Sequence, residues 1–245
     1  MRHGLARLGG PVAVAVAAAG ARPGLPLGIE RVRLIMKRDR GVAGLGGIVF
    51  AVLVVVALSV ANPQGGTYDV ADVSRFVAEG HRNAAIASSA LIALAVAGLV
   101  ALMAYVSATY LEGGQRGRIA WGSSLLAAGS FLIGWVVILA PSLTVSVGGG
   151  PAIEPAVSYT FIETGFGIFL VGGLLLGVAL LTFAVFGETA PTWARVLTGL
   201  VGVLALFSGA FDPFLAVLLW SLIIGLWLLV SSLRAGAPAT AAVRA

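Results

Sequence analysis

The stretch from Val157 to Phe186 is the longest apolar run in the chain, and it contains a single charged residue, Glu163. The hydrocarbon core of a bilayer is about 30 Å thick, and a helix needs about 20 apolar residues to cross it. A run of this length is therefore predicted to be a transmembrane helix. It is also long enough to extend beyond the core at one end.

Five further apolar stretches reach spanning length. The six predicted spans are 42–61, 83–110, 119–140, 157–186, 193–211 and 213–233. Hydrophobic residues make up 59% of the chain and charged residues 10%, whereas about 25% charged is typical of soluble domains. The predicted fold is thus all-α: a polytopic six-helix membrane domain over residues 36–234, followed by a tail at 235–245.

The N-terminal 35 residues are ambiguous. Arg2 and Arg7 precede an apolar run of about ten residues, which resembles a signal peptide and is too short to span. Cleavage there would leave the basic cluster around Arg38 outside the membrane, against the positive-inside rule. We therefore prefer a native start at Met36, with 1–35 a disordered extension or translated upstream sequence; a cleaved signal peptide remains the alternative.

Basic residues are distributed unevenly between the two sides of the predicted membrane domain. If the N-terminus is cytoplasmic, Arg75 and Arg82 are the only two of the 15 Lys and Arg residues on the outside. The positive-inside rule therefore predicts that both termini are cytoplasmic. The heavy use of Ala, Val, Gly and Arg, with a single Lys, suggests a GC-rich bacterial genome. We expect a multi-pass protein of the bacterial inner membrane.

A short amphipathic helix is predicted over residues 68–80, between the first two spans. Val70, Val73 and Val77 recur at helical spacing with charged residues between them. Asp69 precedes them and is a plausible N-cap. The pattern fits a helix that lies on the outer surface or folds over the bundle.

Signatures of catalysis and of metal binding are absent from the sequence. There are no cysteines, His81 has no second histidine near it, and no Gly-rich phosphate loop followed by Lys, HExxH or GxSxG occurs. The serine pairs 88–89 and 123–124 lack a nearby base, so we interpret them as interhelical hydrogen-bonding residues. The few basic residues are dispersed. We therefore expect a non-enzymatic protein with no cofactor, no metal and no nucleic-acid partner.

Glu163 is the candidate site residue, because an ionisable group at membrane depth is a functional hypothesis by default. In one interpretation it binds a proton, a cation or a cationic ligand together with Tyr159, Thr160 and Thr164. However, about 20 residues counted back from Phe186 reach Gly167, which places Glu163 about one turn above the core. We prefer this interfacial position.

Other charged residues fall on the same predicted outer face. They could form a polar vestibule in which the 68–80 helix covers Glu163, or a solvated surface whose charges pair locally. We prefer the second interpretation. In the fourth span Gly173 and Gly177 match the small-xxx-small contact motif, for which packing within one molecule is preferred over dimerisation.

The region from Arg38 to Ser232 resembles a large group of six-helix membrane proteins of actinobacteria, close in layout to the DUF4386 type. The segments that carry the resemblance are RGVAGLGGIVFAVL, DVSRFVAEGHRN, YTFIETGFGIF, ETAPTWARVLTGLVGVLAL and LLWSLIIGLWLLV. The resemblance implies a six-helix layout and supports a start near Met36. The group has no established activity, so it assigns no functional residues.

Two functions remain open at this point. The first is an accessory or structural membrane protein that binds a lipid or a partner protein through its helices, either as a monomer or as a homo-oligomer. The alternative is a small transporter or channel-like protein that handles a cation or proton through Glu163 and the outer charges. A continuous polar path across the spans would favour the alternative, and none is evident in the sequence.

Overall fold

The computed structural model describes residues 27–63, 68–78, 82–111, 114–148, 153–207 and 214–234. The chain divides into two compact units, Met1–Met36 and Lys37–Ala245. In the first unit, the described residues form a helix from Leu27, so that helix begins before the predicted start of the domain.

The described residues form seven α-helices and no strands. In chain order they are α1 (Leu27–Ala61), α2 (Val70–Phe76), α3 (Arg82–Tyr110), α4 (Gln115–Gly148), α5 (Pro155–Phe186), α6 (Thr192–Leu206) and α7 (Phe214–Arg234). Helices satisfy their backbone hydrogen bonds internally, which a chain in lipid requires. Five are long and apolar enough to cross a membrane, and α6 is a shorter apolar helix. The predicted class, an all-α polytopic membrane protein, is confirmed.

Two predicted boundaries are corrected. The third span was expected to end at Ala140, before Pro141, but α4 continues through Pro141 to Gly148. Proline is tolerated inside membrane helices because neighbouring groups can satisfy the carbonyl that it frees. The fifth span was expected to reach residue 211, whereas α6 ends at Leu206 with Phe207 as its C-cap. The predicted boundary between the fifth and sixth spans, near residue 212, and the predicted tail at 235–245 lie outside the described residues.

The long helices pack on one another in the order of the chain. α4 packs on α3 and α5, and α6 packs on α5 and α7. α1 then contacts both α3 and α7, because Gly46 approaches Gly98 and Gly44 approaches Gly225. Since the last helix contacts the first, the six helices form a closed arrangement. Its buried interior includes Trp135 and Trp220.

Glycines mark the closest approaches between helices. A Cβ on Gly46 would lie 2.5 Å from the carbonyl oxygen of Gly98, and a Cβ on Gly165 would lie 2.6 Å from that of Gly134. A Cβ on Gly177 would lie 3.0 Å from the carbonyl oxygen of Gly202. Small residues at such points let two backbones meet, which is how helices pack in lipid. Gly177 therefore packs within the molecule.

Three of the four paired serines bond to their own helix, which corrects the interhelical role predicted for them. The hydroxyls of Ser88 and Ser89 both donate to the carbonyl of Ala85, and the hydroxyl of Ser124 donates to that of Ala120. A carbonyl one turn earlier is always within reach of a helical serine, so this bond needs no partner helix.

Charge separates the two ends of the bundle. The basic end carries Arg38, Arg40, Arg116, Arg118, Arg195 and Arg234, together with Asp39 and Glu188. The acidic end carries Asp69, Asp72, Glu154 and Glu163, together with Arg75 and Arg82. Contacts hold the basic end together: Arg40 donates to the Tyr105 hydroxyl, and Arg195 donates to the carbonyls of Ala184 and Val185.

Candidate functional site

The four predicted site residues lie on the first turns of α5, at the acidic end. The side chains of Glu163, Thr160 and Thr164 are exposed, and Tyr159 is half-buried. A side-chain hydrogen bond joins Tyr159 to Glu163 one turn later. The Thr160 hydroxyl donates to the carbonyl of Ala156 in its own helix. The structure thus brings Tyr159 and Glu163 together on the surface of the helix.

The short helix α2 is folded over the bundle rather than lying free on its surface. Val73 and Phe76 are buried, and the Ser142 hydroxyl of α4 donates to the carbonyl of Phe76. Tyr68, just before the helix, meets the ring of Tyr159 edge-on at 5.1 Å between centroids. The segment therefore touches α5 beside the pair that includes Glu163.

Local bonds stabilise this short helix. The Asp69 carboxylate accepts hydrogen bonds from the backbone N–H groups of Ala71 and Asp72 at 2.7 and 3.3 Å, which confirms the predicted N-cap. Arg75 pairs with Asp72 at 3.1 Å. This pairing is local, as expected for a solvated charged surface. His81 and Glu79 lie outside the described residues.

A cleft of about 240 Å³ lies deeper in the bundle and was not predicted. Its wall is apolar and contains five aromatic side chains: Phe131, Trp135, Phe166, Phe169 and Phe214. Leu170 at its edge is exposed, whereas Phe131 and Trp135 are buried. The cleft therefore leads from the surface of α5 into the bundle interior.

The cleft lies beside the described ends of α6 and α7. The 15-residue α6 is about 22 Å long and the 32-residue α5 about 48 Å. The first residue of α7, Phe214, packs on Phe169, which is about 21 Å along α5 from Pro155. Gly177, further along α5, meets Gly202 in α6. The described parts of α6 and α7 thus end against the middle of α5, and the cleft forms there.

The aromatic wall follows helical spacing in the sequence. Phe131 and Trp135 are four residues apart on α4, and Phe166 and Phe169 are three apart on α5, so each pair lies on one face. Their rings contact one another: the centroids of Phe131 and Phe169 are 5.3 Å apart, and those of Trp135 and Phe169 are 6.1 Å apart. The spacing alone is equally typical of an ordinary packed core, so it does not signal a cleft.

Two tryptophans are fully buried but differ in their hydrogen bonding. The indole N–H of Trp220 donates to the Thr198 hydroxyl at 2.9 Å. The indole N–H of Trp135, in the cleft wall, has no partner among the described residues. Buried polar groups in proteins are normally paired. The wall of the aromatic cleft therefore contains one of the buried polar groups without a partner among the described residues.

The described residues contain no group of three or more His, Asp or Glu side chains that could hold a metal ion. No protein-family model, curated protein or solved structure matches the chain. The resemblance to the actinobacterial six-helix group remains a prediction.

Proposed function

We propose that this integral membrane protein is a non-enzymatic accessory protein that binds a lipid through its helices, with the lipid's hydrocarbon chain in the aromatic cleft. The apolar cleft, open at Leu170 on the surface of α5, is the observation that carries the proposal. The bundle surface at this depth contacts the hydrocarbon of the bilayer. An opening there meets acyl chains rather than water.

Filling the cleft with a hydrocarbon chain is energetically favourable. An unoccupied apolar cleft loses dispersion contacts along its lining. A hydrocarbon chain restores those contacts and removes no polar group from water. The aromatic rings provide large, rigid apolar surfaces, as is usual in pockets for hydrophobic ligands. The ligand class that the wall favours is therefore a hydrocarbon chain.

We further propose that the protein resides in a bacterial inner membrane with both termini in the cytoplasm. The clustering of six arginines at the basic end supports this orientation through the positive-inside rule. The cleft then lies toward the outer leaflet, because the first turns of α5 are at the opposite end. Binding of a partner protein is a second use of the same helices that remains a prediction.

Ion or proton transport through Glu163 receives less support. Glu163 is exposed on α5, and the other described charged side chains lie near or beyond the ends of the apolar spans rather than along a path between them. Between Gly167 and Phe186, α5 has no ionisable residue. A permeating cation would have nothing on this helix to replace its hydration over that distance.

Gly173 provides a direct test, because it lines the cleft. We expect Gly173→Leu to place a side chain in the cleft and to lower the amount of lipid that copurifies with the protein in mild detergent. Lipid is extracted and quantified per protein by mass spectrometry. The matched control is Gly167→Leu on the same helix, where a Cβ meets no atom within 4 Å.

Equal lipid content in the wild type, Gly173→Leu and Gly167→Leu proteins would contradict the proposal. Thermal unfolding of all three shows whether a loss of lipid reflects a blocked cleft or a damaged bundle. If Gly173→Leu unfolds early, Phe166→Ala gives a second measurement, since it removes part of the wall from a half-buried position.

A further inference from the structure

A second concave surface lies at the basic end, where α3 ends and α4 begins. This groove has a volume of about 320 Å³ and is lined by Ala104, Ser107, Ala108, Gly117, Arg118 and Trp121. Four of the six residues are small, which leaves the space open between the two helices. The groove is therefore flanked by one cation and one indole ring, with a floor of small side chains.

Three of the six arginines at this end are held by contacts within the protein. Arg40 is bonded to Tyr105, Arg195 to backbone carbonyls, and the Arg116 guanidinium lies 4.1 Å from the centre of the Phe186 ring. Arg118 is exposed. Among the described residues, the ion pair that forms is Arg75 with Asp72, at the acidic end. The charge of Arg118 is thus available to an anion in the groove.

Ser107 supplies an independent observation. Its side chain lines the groove and is 6% exposed, yet its hydroxyl has no hydrogen-bond partner among the described residues. By contrast, the buried Ser88 of α3 and Ser124 of α4 each donate to a backbone carbonyl of their own helix. A serine hydroxyl turns between three rotamers and can donate or accept. An oxygen-rich ligand in the groove would provide the missing partner.

The backbone at the start of α4 adds to the positive electrostatic potential of Arg118. α4 begins at Gln115, and the first N–H groups of a helix have no acceptor within the helix. Together with the dipole they favour negative charge at this point. Trp121 is half-buried and lies about one turn after Arg118. Its amphipathic ring is of the kind that is found at the membrane interface.

We propose that this groove binds the phosphate group of an anionic phospholipid, with Arg118 and the Ser107 hydroxyl as its ligands. The site lies at the basic end, away from the aromatic cleft, and does not depend on the function proposed above. The planar guanidinium of arginine can donate two parallel N–H groups to two oxygens of a phosphate. The lipid chains would then follow α3 and α4 into the bilayer beside Trp121.

The test is a titration of the full-length protein in a delipidating detergent, with binding counted by native mass spectrometry. The probes are palmitoyl-oleoyl phosphatidylglycerol and palmitoyl-oleoyl phosphatidylcholine. We expect tighter binding of phosphatidylglycerol. Arg118→Gln should weaken it about fivefold, the equivalent of about 1 kcal/mol per arginine near an anionic surface. Arg118→Lys, which keeps the charge but not the planar fork, should recover part of the loss.

Arg234→Gln is the matched control, because Arg234 is exposed at the same end and outside the groove. It should change phosphatidylglycerol binding less than twofold. An equal loss in both variants would mean a diffuse charge effect and would overturn the groove as a site. No loss in either would overturn it as well.

Ser107→Ala separates a ligand role from a packing role. A role as phosphate ligand predicts weaker phosphatidylglycerol binding at unchanged thermal stability, whereas unchanged binding with raised stability would remove Ser107 from the site. Inorganic phosphate is titrated alone in parallel. Saturation by phosphate with no preference for phosphatidylglycerol would overturn the lipid as its source. The Gly173→Leu variant should keep the headgroup preference, so failure of the cleft and failure of the groove are distinguishable.

Discussion

The two ends of this bundle differ in how their helix ends are packed. At the basic end, long side chains cover the helix termini: Arg195 bonds to the last carbonyls of α5, and Tyr110 packs between Phe183 and Trp227. Toward the acidic end, α6 and the described start of α7 stop against the middle of α5, and the aromatic cleft is left beside them. At the basic end the helix termini are joined through polar side chains, whereas the cleft toward the acidic end has an apolar wall.

The difference concerns what each region can bind. A surface of arginines and an indole ring at the membrane interface suits a charged headgroup. An apolar cleft lower in the bundle suits a chain, because no polar group there has to lose its hydration. A lipid has both parts, but the two sites lie toward opposite ends of the molecule, so one lipid in a bilayer leaflet does not fill both. The comparison therefore predicts two separable binding activities.

Substituting the glycines at helix–helix contacts should lower the free energy of unfolding more than any other change. A Cβ on Gly44, in the contact between α1 and α7, would lie 2.6 Å from the backbone nitrogen of Leu229. A Cβ on Gly165, in the contact between α4 and α5, would lie 2.5 Å from a side-chain carbon of Ile138. We expect Gly44→Ala and Gly165→Ala each to lower the free energy of unfolding by about 1–3 kcal/mol, because the helices must separate.

Gly129→Ala is the control for both, since its Cβ would meet no atom within 4 Å and alanine favours the helix. Thermal or denaturant unfolding in detergent measures all three. Lipid retention then sharpens the comparison: we expect Gly165→Ala, near the cleft wall, to alter chain retention, and Gly44→Ala to leave it unchanged. The reverse pattern would contradict the assignment of chain binding to the cleft.

Loss of the hydrogen bond from the buried Trp220 should give the next largest effect on the free energy of unfolding. Thr198→Val removes the acceptor of the Trp220 N–H while keeping the shape of the side chain, so a buried donor is left unpaired at a cost of about 1–3 kcal/mol. Thr182→Val is the control, because the Thr182 hydroxyl donates to the carbonyl of Val178 in its own helix. Chemical denaturation compares the two variants. Equal losses would mean that the interhelical bond contributes nothing.

Much of this architecture follows from the sequence because lipid leaves few choices. Apolar runs of spanning length must be helices, and Asp69 before an amphipathic pattern is a good N-cap, so both were predictable. Pro141 was misjudged because the rule that proline ends a helix comes from chains in water, where no neighbouring helix satisfies the freed carbonyl. Ser88, Ser89 and Ser124 were misjudged because the interhelical interpretation left out the carbonyl that their own helix places within reach one turn earlier.

The sites were less predictable for a different reason. The pairing of Tyr159 with Glu163 follows from their spacing of four residues on one helix. The cleft depends on how the described ends of α6 and α7 lie against α5, and the groove depends on Ser107 of α3 and Arg118 of α4 lining the same space. Both are matters of register between helices. Apolar residues at similar depth in each span do not encode that register in any simple pattern.

Asp69→Ala should give a smaller effect, confined to the acidic end. It removes the carboxylate that accepts from Ala71 and Asp72, at a cost of about 1 kcal/mol to the short helix. Amide hydrogen exchange of residues 70–76 should speed up while exchange in α4 and α6 stays constant. Ser74→Ala, an exposed change within the same helix, is the control. If exchange in α4 also became faster, the hydrogen bond from the Ser142 hydroxyl to the carbonyl of Phe76 would stabilise α4 as well as the short helix.

Glu163→Gln should have the smallest effect. Glu163 is exposed, and glutamine retains an oxygen that can accept from the Tyr159 hydroxyl. We therefore expect the free energy of unfolding to change by no more than about 0.5 kcal/mol. In proteoliposomes, proton and potassium flux should match empty liposomes for both wild type and variant. Measurable flux in the wild type that falls in Glu163→Gln would make the acidic end a transport site, and the contrast between the two ends would then be one of ion entry against lipid anchoring.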